Sequence, residues 1–292
     1  MEKSTRKRRL GDRKDAVLLR DINSMHFIMP LVLPNRCDNE AFISEQIDMR
    51  AVDAYVEKKN LSNPEYRYNM FQVIVTAALK SLYLRPKMNH FIANGNMYER
   101  IEKSAAFVVK KIFSDQGDEG LAYIRSEGTD TIDTIHGKIF DQVSNARGDV
   151  KDSTSEAMDI FQKMPRFVAK ALVAFIRFLD RHGKVPYSII SNEIFYSSVV
   201  LSNLGSIKLH AGYHHLTNWG TCSVFVVIGE KKPRPFYGED GSVTMIDSID
   251  LGMTVDERIA DGYYFSKTIR LIKKLLENPE LLELPLEQEV EY

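Results

Sequence analysis

Residues 243–282 read VTMIDSIDLGMTVDERIADGYYFSKTIRLIKKLLENPELL, and this stretch decides the fold. The segment Val243 to Val255 is rich in β-branched and apolar residues, which predicts a strand. A short polar segment, 256–262, follows it and contains the sequence DERIADG. A helix is then predicted up to Pro279, because the apolar residues recur at helical spacing (Phe265, Ile269, Ile272 and Leu276).

Three further pieces precede or follow this polar segment at informative distances. Leu201 to Ser206 reads LSNLGS and follows a strand predicted over Ile194 to Leu201. Arg85 to Asn89 reads RPKMN and follows a helix predicted over Tyr68 to Leu84. The predicted last helix ends in LLENPELL, residues 275–282. Four ordered pieces over most of the chain form a more specific signal than any one of them.

These pieces resemble the catalytic domain of the acyltransferase (E2) components of 2-oxo acid dehydrogenase complexes. That family carries S-N-L-G at a strand end, D-H-R-x-x-D-G about fifty residues later, L-L-x-x-P-E-L-L after the following helix, and P-x-L-N upstream. The resemblance covers roughly Asp21 to Leu284 and extends to chloramphenicol acetyltransferase. It implies an α/β fold, a two-layer sandwich in which a mixed β-sheet is covered by helices.

The resemblance also implies a function and an assembly. The expected reaction moves an acyl group from a coenzyme A (CoA) thioester to a small hydroxyl, amine or thiol acceptor, at a site between the subunits of a homotrimer. Acyl-CoA is then a co-substrate, and no tightly bound cofactor is expected. Because no lipoyl domain or subunit-binding domain precedes the match, a stand-alone enzyme is the better interpretation.

The site residues come with the resemblance and include one departure from it. Ser202 matches the serine that stabilises the oxyanion, and Asp261 matches the aspartate that an arginine holds, with Arg258 and Arg20 as candidate partners. The family's catalytic histidine is replaced by Glu257. A glutamate is a weak base in water, but burial between subunits would raise its pKa and strengthen it as a base. The alternative is a catalytically degenerate trimer, a pseudoenzyme that binds CoA or acyl-CoA or acts as a scaffold.

Two histidines offer another source of an imidazole. His214 and His215 fall in the segment where E2 sequences carry a loop near the active-site channel, so either is a possible alternative base. His210, His214 and His215 have the spacing H-x-x-x-H-H, but no carboxylate accompanies them and the segment is predicted to be a loop. No metal site is therefore predicted.

Composition excludes several classes of protein. Phosphate-binding glycine loops, a nucleophile elbow and cysteine pairs of the C-x-x-C type are absent from the sequence. The net charge of −1 provides no global attraction for nucleic acid. Two distant cysteines without a secretory signal favour the cytoplasm. Phe167 to Leu179 is predicted to be a buried or interface helix rather than a membrane-surface helix, so membrane association is not expected.

The remaining patterns predict one catalytic domain with two charged ends. Residues 1–20 are expected to be a basic, flexible arm, with an acidic partner or a membrane surface as a second interpretation; 21–284 form the domain, and 285–292 an acidic tail. Other predicted elements are strands over Ser104–Phe113, Leu121–Arg125 and Thr221–Ile228, a hairpin at 93–96, and helices over Thr131–Asn145 and Ser153–Arg181, the last interrupted by Pro165.

Overall fold

The computed structural model describes residues 8–110, 119–147 and 161–292. Ten strands lie in the described residues, and they form two sheets. Their bounds are β1 Ala16–Leu18, β2 Glu40–Asp48, β3 His90–Ala93, β4 Asn96–Arg100, β5 Lys103–Lys110, β6 Glu119–Ser126, β7 Val199–Asn203, β8 Val224–Ile228, β9 Lys232–Tyr237 and β10 Val243–Asp256.

The larger sheet has seven strands in the order β2-β10-β8-β7-β5-β6, and β9 pairs with the first half of β10. Strand β7 runs parallel to β5 and β8, and the other pairs are antiparallel. The sheet is therefore mixed, as predicted. Strand β10 is 14 residues long and organises the sheet, because it pairs with β2, β8 and β9.

The smaller sheet has the order β1-β4-β3 and is antiparallel. Its β3–β4 hairpin turns at Asn94 and Gly95, whose φ angles are +48° and +72°. Two successive positive φ angles define the type I′ turn that suits a two-residue hairpin, and asparagine and glycine adopt them most readily. The predicted hairpin at 93–96 is confirmed.

Seven helices occur in the described residues. They are α1 Ser24–Val32, α2 Arg50–Asn60, α3 Met70–Leu84, α4 Ile132–Arg147, α5 Arg166–Arg181, the single turn α6 Tyr187–Ile190, and α7 Gly262–Glu277. Helices α2, α3, α4 and α7 cover one face of the large sheet and form the main core with it. The alternation of β7 shows this sidedness, since Val199 and Leu201 face the helices whereas Val200 faces the other way. The predicted two-layer architecture is confirmed.

In the described residues, α2, α3, α4 and α7 leave the opposite face of the large sheet uncovered. A smaller apolar cluster lies there (Ala106, Tyr123, Val200, Leu216, Cys222, Phe225 and Val227). Leu216 and Cys222 belong to the chain that connects β7 to β8, so this connection covers part of that face.

The expected ends of the domain need correction. Within the predicted arm, strand β1 pairs with β4, and the Arg13 side chain is only 3% exposed. Within the predicted acidic tail, Leu286 is fully buried and its backbone N–H donates to the Asp130 carbonyl at 2.8 Å. The described part of the arm, residues 8–20, and the tail both contribute to the folded domain, because each supplies apolar or paired groups to it. The first seven residues, the end of the Ser104–Phe113 strand and the start of the Ser153–Arg181 helix lie outside the described residues.

Candidate active site

The segment between β10 and α7 turns a single polar side chain outward at its centre. Asp256, Arg258, Ile259 and Ala260 are at most 1% exposed, whereas Glu257 is exposed. The backbone N–H of Glu257 donates to the Asn39 carbonyl at 2.9 Å, and the carboxylate has no hydrogen-bond or ion-pair partner among the described residues. Glu257 is thus presented on a turn whose neighbouring side chains are buried.

A buried ionic cluster supports this turn. Arg258 donates to both carboxylate oxygens of Asp256, from Nε at 2.8 Å and from Nη2 at 2.7 Å. Its Nη1 donates to the carbonyls of Leu33 and Pro34. Such a fork-to-carboxylate pair is strong and directional when both groups are buried. The chain just after α1 is thereby attached to the turn.

A second arginine approaches the same carboxylate. Arg36 Nε lies 3.6 Å from Asp256, and Arg36 donates to the carbonyls of Thr217, Gly220 and Ile92. Burial lowers the pKa of Arg36 from its ordinary value, although the Asp256 carboxylate opposes the shift. Two guanidinium groups therefore lie around one carboxylate beneath Glu257, and backbone carbonyls accept hydrogen bonds from Nη1 of Arg258 and from Nη1 and Nη2 of Arg36.

The expected partners of Asp261 are wrong for this chain. Asp261 is exposed and forms the N-cap of α7, where its side chain accepts from the Tyr264 backbone N–H at 2.8 Å. Arg258 pairs with Asp256 instead, and Arg20 lies 3.5 Å from Asp12. The physical reason is local: Asp256 is two residues from Arg258 and buried, while Asp261 satisfies the first turn of a helix.

Ser202 lies near the end of β7 on the face of the sheet opposite to α2, α3, α4 and α7. It is half-buried, and its hydroxyl has no hydrogen-bond partner among the residues that the structure describes. A short 3₁₀ turn, Leu204–Ile207, follows directly. The hydroxyl is therefore available as a donor to a bound group.

Ser202 and Glu257 lie far apart in one chain. Ser202 pairs with Val227 on β8, whereas Val255 pairs with Val224, which places Glu257 about level with Cys222. Five residues of strand separate those levels, which corresponds to roughly 16 Å, and two interstrand spacings of about 4.8 Å add to it across the sheet. One chain cannot bring both groups to the same substrate atom.

The connection 208–223 brings His214 onto the face that carries Ser202. The His214 ring stacks on Phe225, with 4.1 Å between ring centroids, and its Nδ1 lies 2.8 Å from the His215 carbonyl. Phe225 pairs with Val200, two residues before Ser202. His214 is half-buried and His215 is exposed. The third histidine of this segment, His210, lies 3.1 Å from the Lys232 amine.

The connection crosses β10 at a glycine. A Cβ atom at Gly252 would overlap the carbonyl oxygen of Gly212. Further along, the Leu216 backbone N–H donates to the Glu40 carboxylate. Gly252 therefore allows the close crossing that holds His214 over the sheet.

Sequence reasoning missed His26, which lies beside the turn. Its Nδ1 is 3.0 Å from the carbonyl oxygen of Arg258, the residue after Glu257. Nearby, burial lowers the pKa of His90 to about 4, and the charges of Lys87 and His26 add to the shift. No local pattern marks His26, because α1 is apolar around most of its circumference and its position depends on the tertiary fold.

Among the described residues, no group of three histidine, cysteine or acidic side chains could hold a metal ion. In the same part of the chain, no helix is long and apolar enough to cross a membrane.

Comparison with known proteins identifies a family model that matches part of the chain. Residues 188–284 match the family model described as 2-oxoacid dehydrogenases acyltransferase (catalytic domain), a segment that includes Ser202, Glu257 and Asp261. No curated protein matches the chain by sequence.

Solved structures share the fold over almost the whole chain. A probable dihydrolipoamide acetyltransferase from Listeria monocytogenes has a TM-score of 0.58 at 14% identity, covering 89% of this chain and 94% of that one. A chloramphenicol acetyltransferase has a TM-score of 0.58 at 10% identity, covering 89% and 99%. The cubic core of the pyruvate dehydrogenase multienzyme complex has a TM-score of 0.53 at 12% identity, covering 91% and 94%. The resemblance to this acyltransferase superfamily is therefore confirmed in its fold and, over residues 188–284, in its sequence.

Proposed function

We propose that this protein transfers an acyl group from a CoA thioester to a small hydroxyl, amine or thiol acceptor. The proposed site lies between two subunits of a homotrimer, with Glu257 from one chain and Ser202 from the next. Asp261 holds the start of α7 in place and is a positioning residue.

The observation that carries this proposal is the separation of Ser202 from Glu257. Both residues fall within the segment that matches the acyltransferase model, yet they lie near opposite ends of the sheet. Glu257 is exposed, and the Ser202 hydroxyl has no partner in the described residues. A second copy of the chain could bring its Ser202 beside Glu257 of the first. Closed cyclic symmetry would repeat the same site at each interface.

The chemistry then divides between the two side chains. The Glu257 carboxylate accepts the proton of the acceptor's hydroxyl, amine or thiol as that group attacks the thioester carbonyl. The Ser202 hydroxyl donates to the oxyanion of the tetrahedral intermediate. The intermediate collapses by breaking the carbon–sulfur bond, and the departing CoA thiolate takes the proton from Glu257. Shielding by the neighbouring chain would make the carboxylate a stronger base, because desolvation disfavours its charged form.

A second candidate is a trimer that binds CoA or acyl-CoA without turnover, or that serves as a scaffold. Two observations favour it: position 257 carries no imidazole, and the Glu257 carboxylate is exposed on the single chain. In this alternative the fold and the interface are kept, but proton transfer is lost.

The first test measures release of free thiol from acetyl-CoA with a panel of hydroxyl, amine and thiol acceptors. Glu257→Gln keeps the size of the side chain but cannot accept the proton, so we expect a loss of at least about 10²-fold. Ser202→Ala removes an oxyanion donor, and we expect a loss of about 10²- to 10³-fold. If Glu257→Gln is as active as the wild type, Glu257 is not the base. If the wild type binds CoA but releases no thiol with any acceptor, the second candidate stands.

A complementation experiment tests the shared site directly. The two variants are co-expressed with different tags, and trimers that carry both tags are purified. In a cyclic trimer of either mixed composition, one interface of the three pairs an intact Glu257 with an intact Ser202. We therefore expect about one-third of the wild-type activity. Mixed trimers as inactive as their parents would place both groups within one chain and overturn the shared site.

A further inference from the structure

Helix α5 turns an apolar face away from the protein. Phe167 is 74% exposed, Phe175 56%, Phe178 58% and Val168 39%, and no residue of the helix is buried. On the single chain the segment is therefore not buried, so of the predicted buried or interface helix only the interface helix remains as a prediction. Three exposed phenylalanines on one helix form a patch of the kind that marks an interaction site.

The helix carries three distinct faces around its axis, at 100° per residue. The face toward the protein is half-buried and apolar (Ala169, Leu172, Val173, Ile176 and Leu179). The face turned away is exposed and apolar (Phe167, Val168, Ala171, Phe175 and Phe178). Between these two faces, along one side, runs a stripe of exposed basic residues (Arg166, Lys170, Arg177 and Arg181).

The carboxyl-terminal half of α5 is firmly attached to the domain. Ile176 and Leu179 pack against the buried cluster of Val185, Ile190 and Tyr196. Arg13 donates to the Asp180 carboxylate at 2.8 Å and to its carbonyl oxygen at 2.6 Å. The outward face is thus presented by a fixed helix rather than by a loose one.

The Arg13–Asp180 pair also places the basic start of the chain beside this helix. Arg8, Arg9 and Lys14, within five residues of Arg13 in sequence, are exposed. The basic stripe of α5 and these residues therefore lie in one region of a protein whose net charge is only −1. The charge is local and does not extend over the whole surface.

We propose that α5 and the basic residues around Arg13 form a peripheral binding surface for anionic lipid membranes. A helix with aromatic residues on one face and a basic stripe along its side is suited to lie in the plane of a membrane interface. The 16 residues of α5 span about 24 Å, so the phenylalanines and the cations can meet a flat bilayer together. Anionic headgroups attract the cations while the phenylalanine rings enter the acyl boundary.

Charge argues against a second α5 helix as the occupant of this face. A symmetric contact of α5 with α5 would bring the stripes of Arg166, Lys170 and Arg177 together, and like charges at close range oppose association. An anionic lipid surface provides both the opposite charge and an apolar layer. The proposal is independent of the acyl-transfer reaction.

The test is co-sedimentation of the full chain with vesicles of phosphatidylcholine alone or of phosphatidylcholine mixed with phosphatidylglycerol. We expect binding to the mixed vesicles at low salt, and weaker binding at high salt or without phosphatidylglycerol. The triple variants F167S/F175S/F178S and R166Q/K170Q/R177Q should each weaken binding at least about tenfold. Circular dichroism is expected to show both variants folded, because none of the six side chains is buried.

A matched control is available on α7, where exposed Tyr263 lies beside Lys267. The variant Y263S/K267Q removes an aromatic ring and a cation elsewhere and should bind vesicles like the wild type. Three results would overturn the proposal. The wild type could fail to bind anionic vesicles at low salt, or both triple variants could bind them as strongly as the wild type does. Sedimentation velocity could also show that F167S/F175S/F178S has a different oligomeric state from the wild type. The last result would identify the face as an interface between copies of this chain.

Discussion

Arg258 binds both carboxylate oxygens of Asp256, at 2.8 and 2.7 Å, while the residue between them, Glu257, is turned out toward solvent. The pair converts the chain before α7 into a tight buried turn. Arg258 also donates to the carbonyls of Leu33 and Pro34, so the turn and the chain after α1 hold each other. The position of Glu257 is therefore a consequence of the ion pair around it.

Arg258→Met tests this support. The change leaves the Asp256 carboxylate buried with the contact to Arg36, at 3.6 Å, and the hydrogen bond from the backbone N–H of residue 258, at 3.2 Å. Removing one member of a buried pair costs about 3–5 kcal/mol of unfolding free energy, because the other charge stays buried. Urea denaturation measures the loss, and Arg50→Met, in an exposed pair with Asp48, is the control and should change little. Equal effects of the two changes would contradict a supporting role for Arg258.

Gly252→Ala should displace the connection that carries His214. Its Cβ would overlap the Gly212 carbonyl oxygen, and neither atom can rotate away, because the backbone fixes the position of the Cβ and the oxygen belongs to the backbone. We expect a loss of about 1–3 kcal/mol, the usual cost of forcing extra volume into a packed site. Gly137→Ala on α4 is the matched control, since a Cβ there meets nothing within 4 Å; it should stabilise the helix by about 0.5–1 kcal/mol. Thermal unfolding distinguishes the two, and a neutral Gly252→Ala would show that the crossing is not tight.

Asp261 has a role in helix α7 that can be separated from chemistry. Asp261→Ala removes the cap on the Tyr264 N–H and should cost about 0.5–2 kcal/mol of stability. Asp261→Asn keeps an accepting oxygen and should restore most of that stability. If the acyl-transfer rate falls in Asp261→Ala and recovers in Asp261→Asn as the stability does, Asp261 only positions the turn. A large loss of activity in a stable Asp261→Asn protein would instead indicate a need for its charge, for example toward a neighbouring chain.

Local patterns predicted much of the fold. Helix α3 begins two residues after its predicted start at Tyr68, and helix α7 ends two residues before Pro279, because their apolar residues recur at helical spacing. Strand β10 extends only one residue beyond its predicted end, to Asp256. Helix α1 was not predicted, because it is apolar on most sides and contains Pro30. It forms with Asn23 as its cap and Pro30 buried in the fold.

The sequence supplied candidate site residues but not their arrangement in space. Ser202 and Glu257 are 55 residues apart in the chain, and no local sequence pattern indicates that their strands run in opposite directions. The register of β7 and β10 on β8 decides that these residues lie at different ends, and register depends on tertiary pairing. The predicted pairing of Asp261 with Arg258 was wrong for the same reason, since the buried Asp256 carboxylate competes for Arg258 only in the folded chain.

Acid should destabilise the protein through His90. Its pKa falls to about 4 in the folded chain, from an unfolded value near 6.5. Between these values the unfolded chain binds the proton and the folded chain does not, so stability is full above about pH 6.5 and declines as the pH falls toward 4. The loss amounts to at most about 3 kcal/mol. Unfolding by urea across this pH range measures it; His90→Phe should flatten the slope, and an unchanged slope would rule out His90 as its source.

His214 is the imidazole best placed to assist Glu257. Its Nδ1 lies 2.8 Å from the His215 carbonyl, which selects the tautomer with a proton on Nδ1 and leaves a lone pair on Nε2. Its ring is fixed on Phe225, on the sheet face that carries Ser202, whereas His215 is exposed. In the proposed trimer this face meets Glu257 of the next chain. We therefore expect His214→Ala to lower kcat by about tenfold or more and His215→Ala to leave it within about twofold. His26 lies beside the Glu257 turn of its own chain, whereas His214 lies on the sheet face that carries Ser202. The variant His26→Ala therefore tests whether an assisting imidazole comes from the Glu257 side of the interface instead. Unchanged thiol release in His214→Ala would mean that Glu257 works without an imidazole, and a loss confined to His26→Ala would move the assisting group to the other side of the interface.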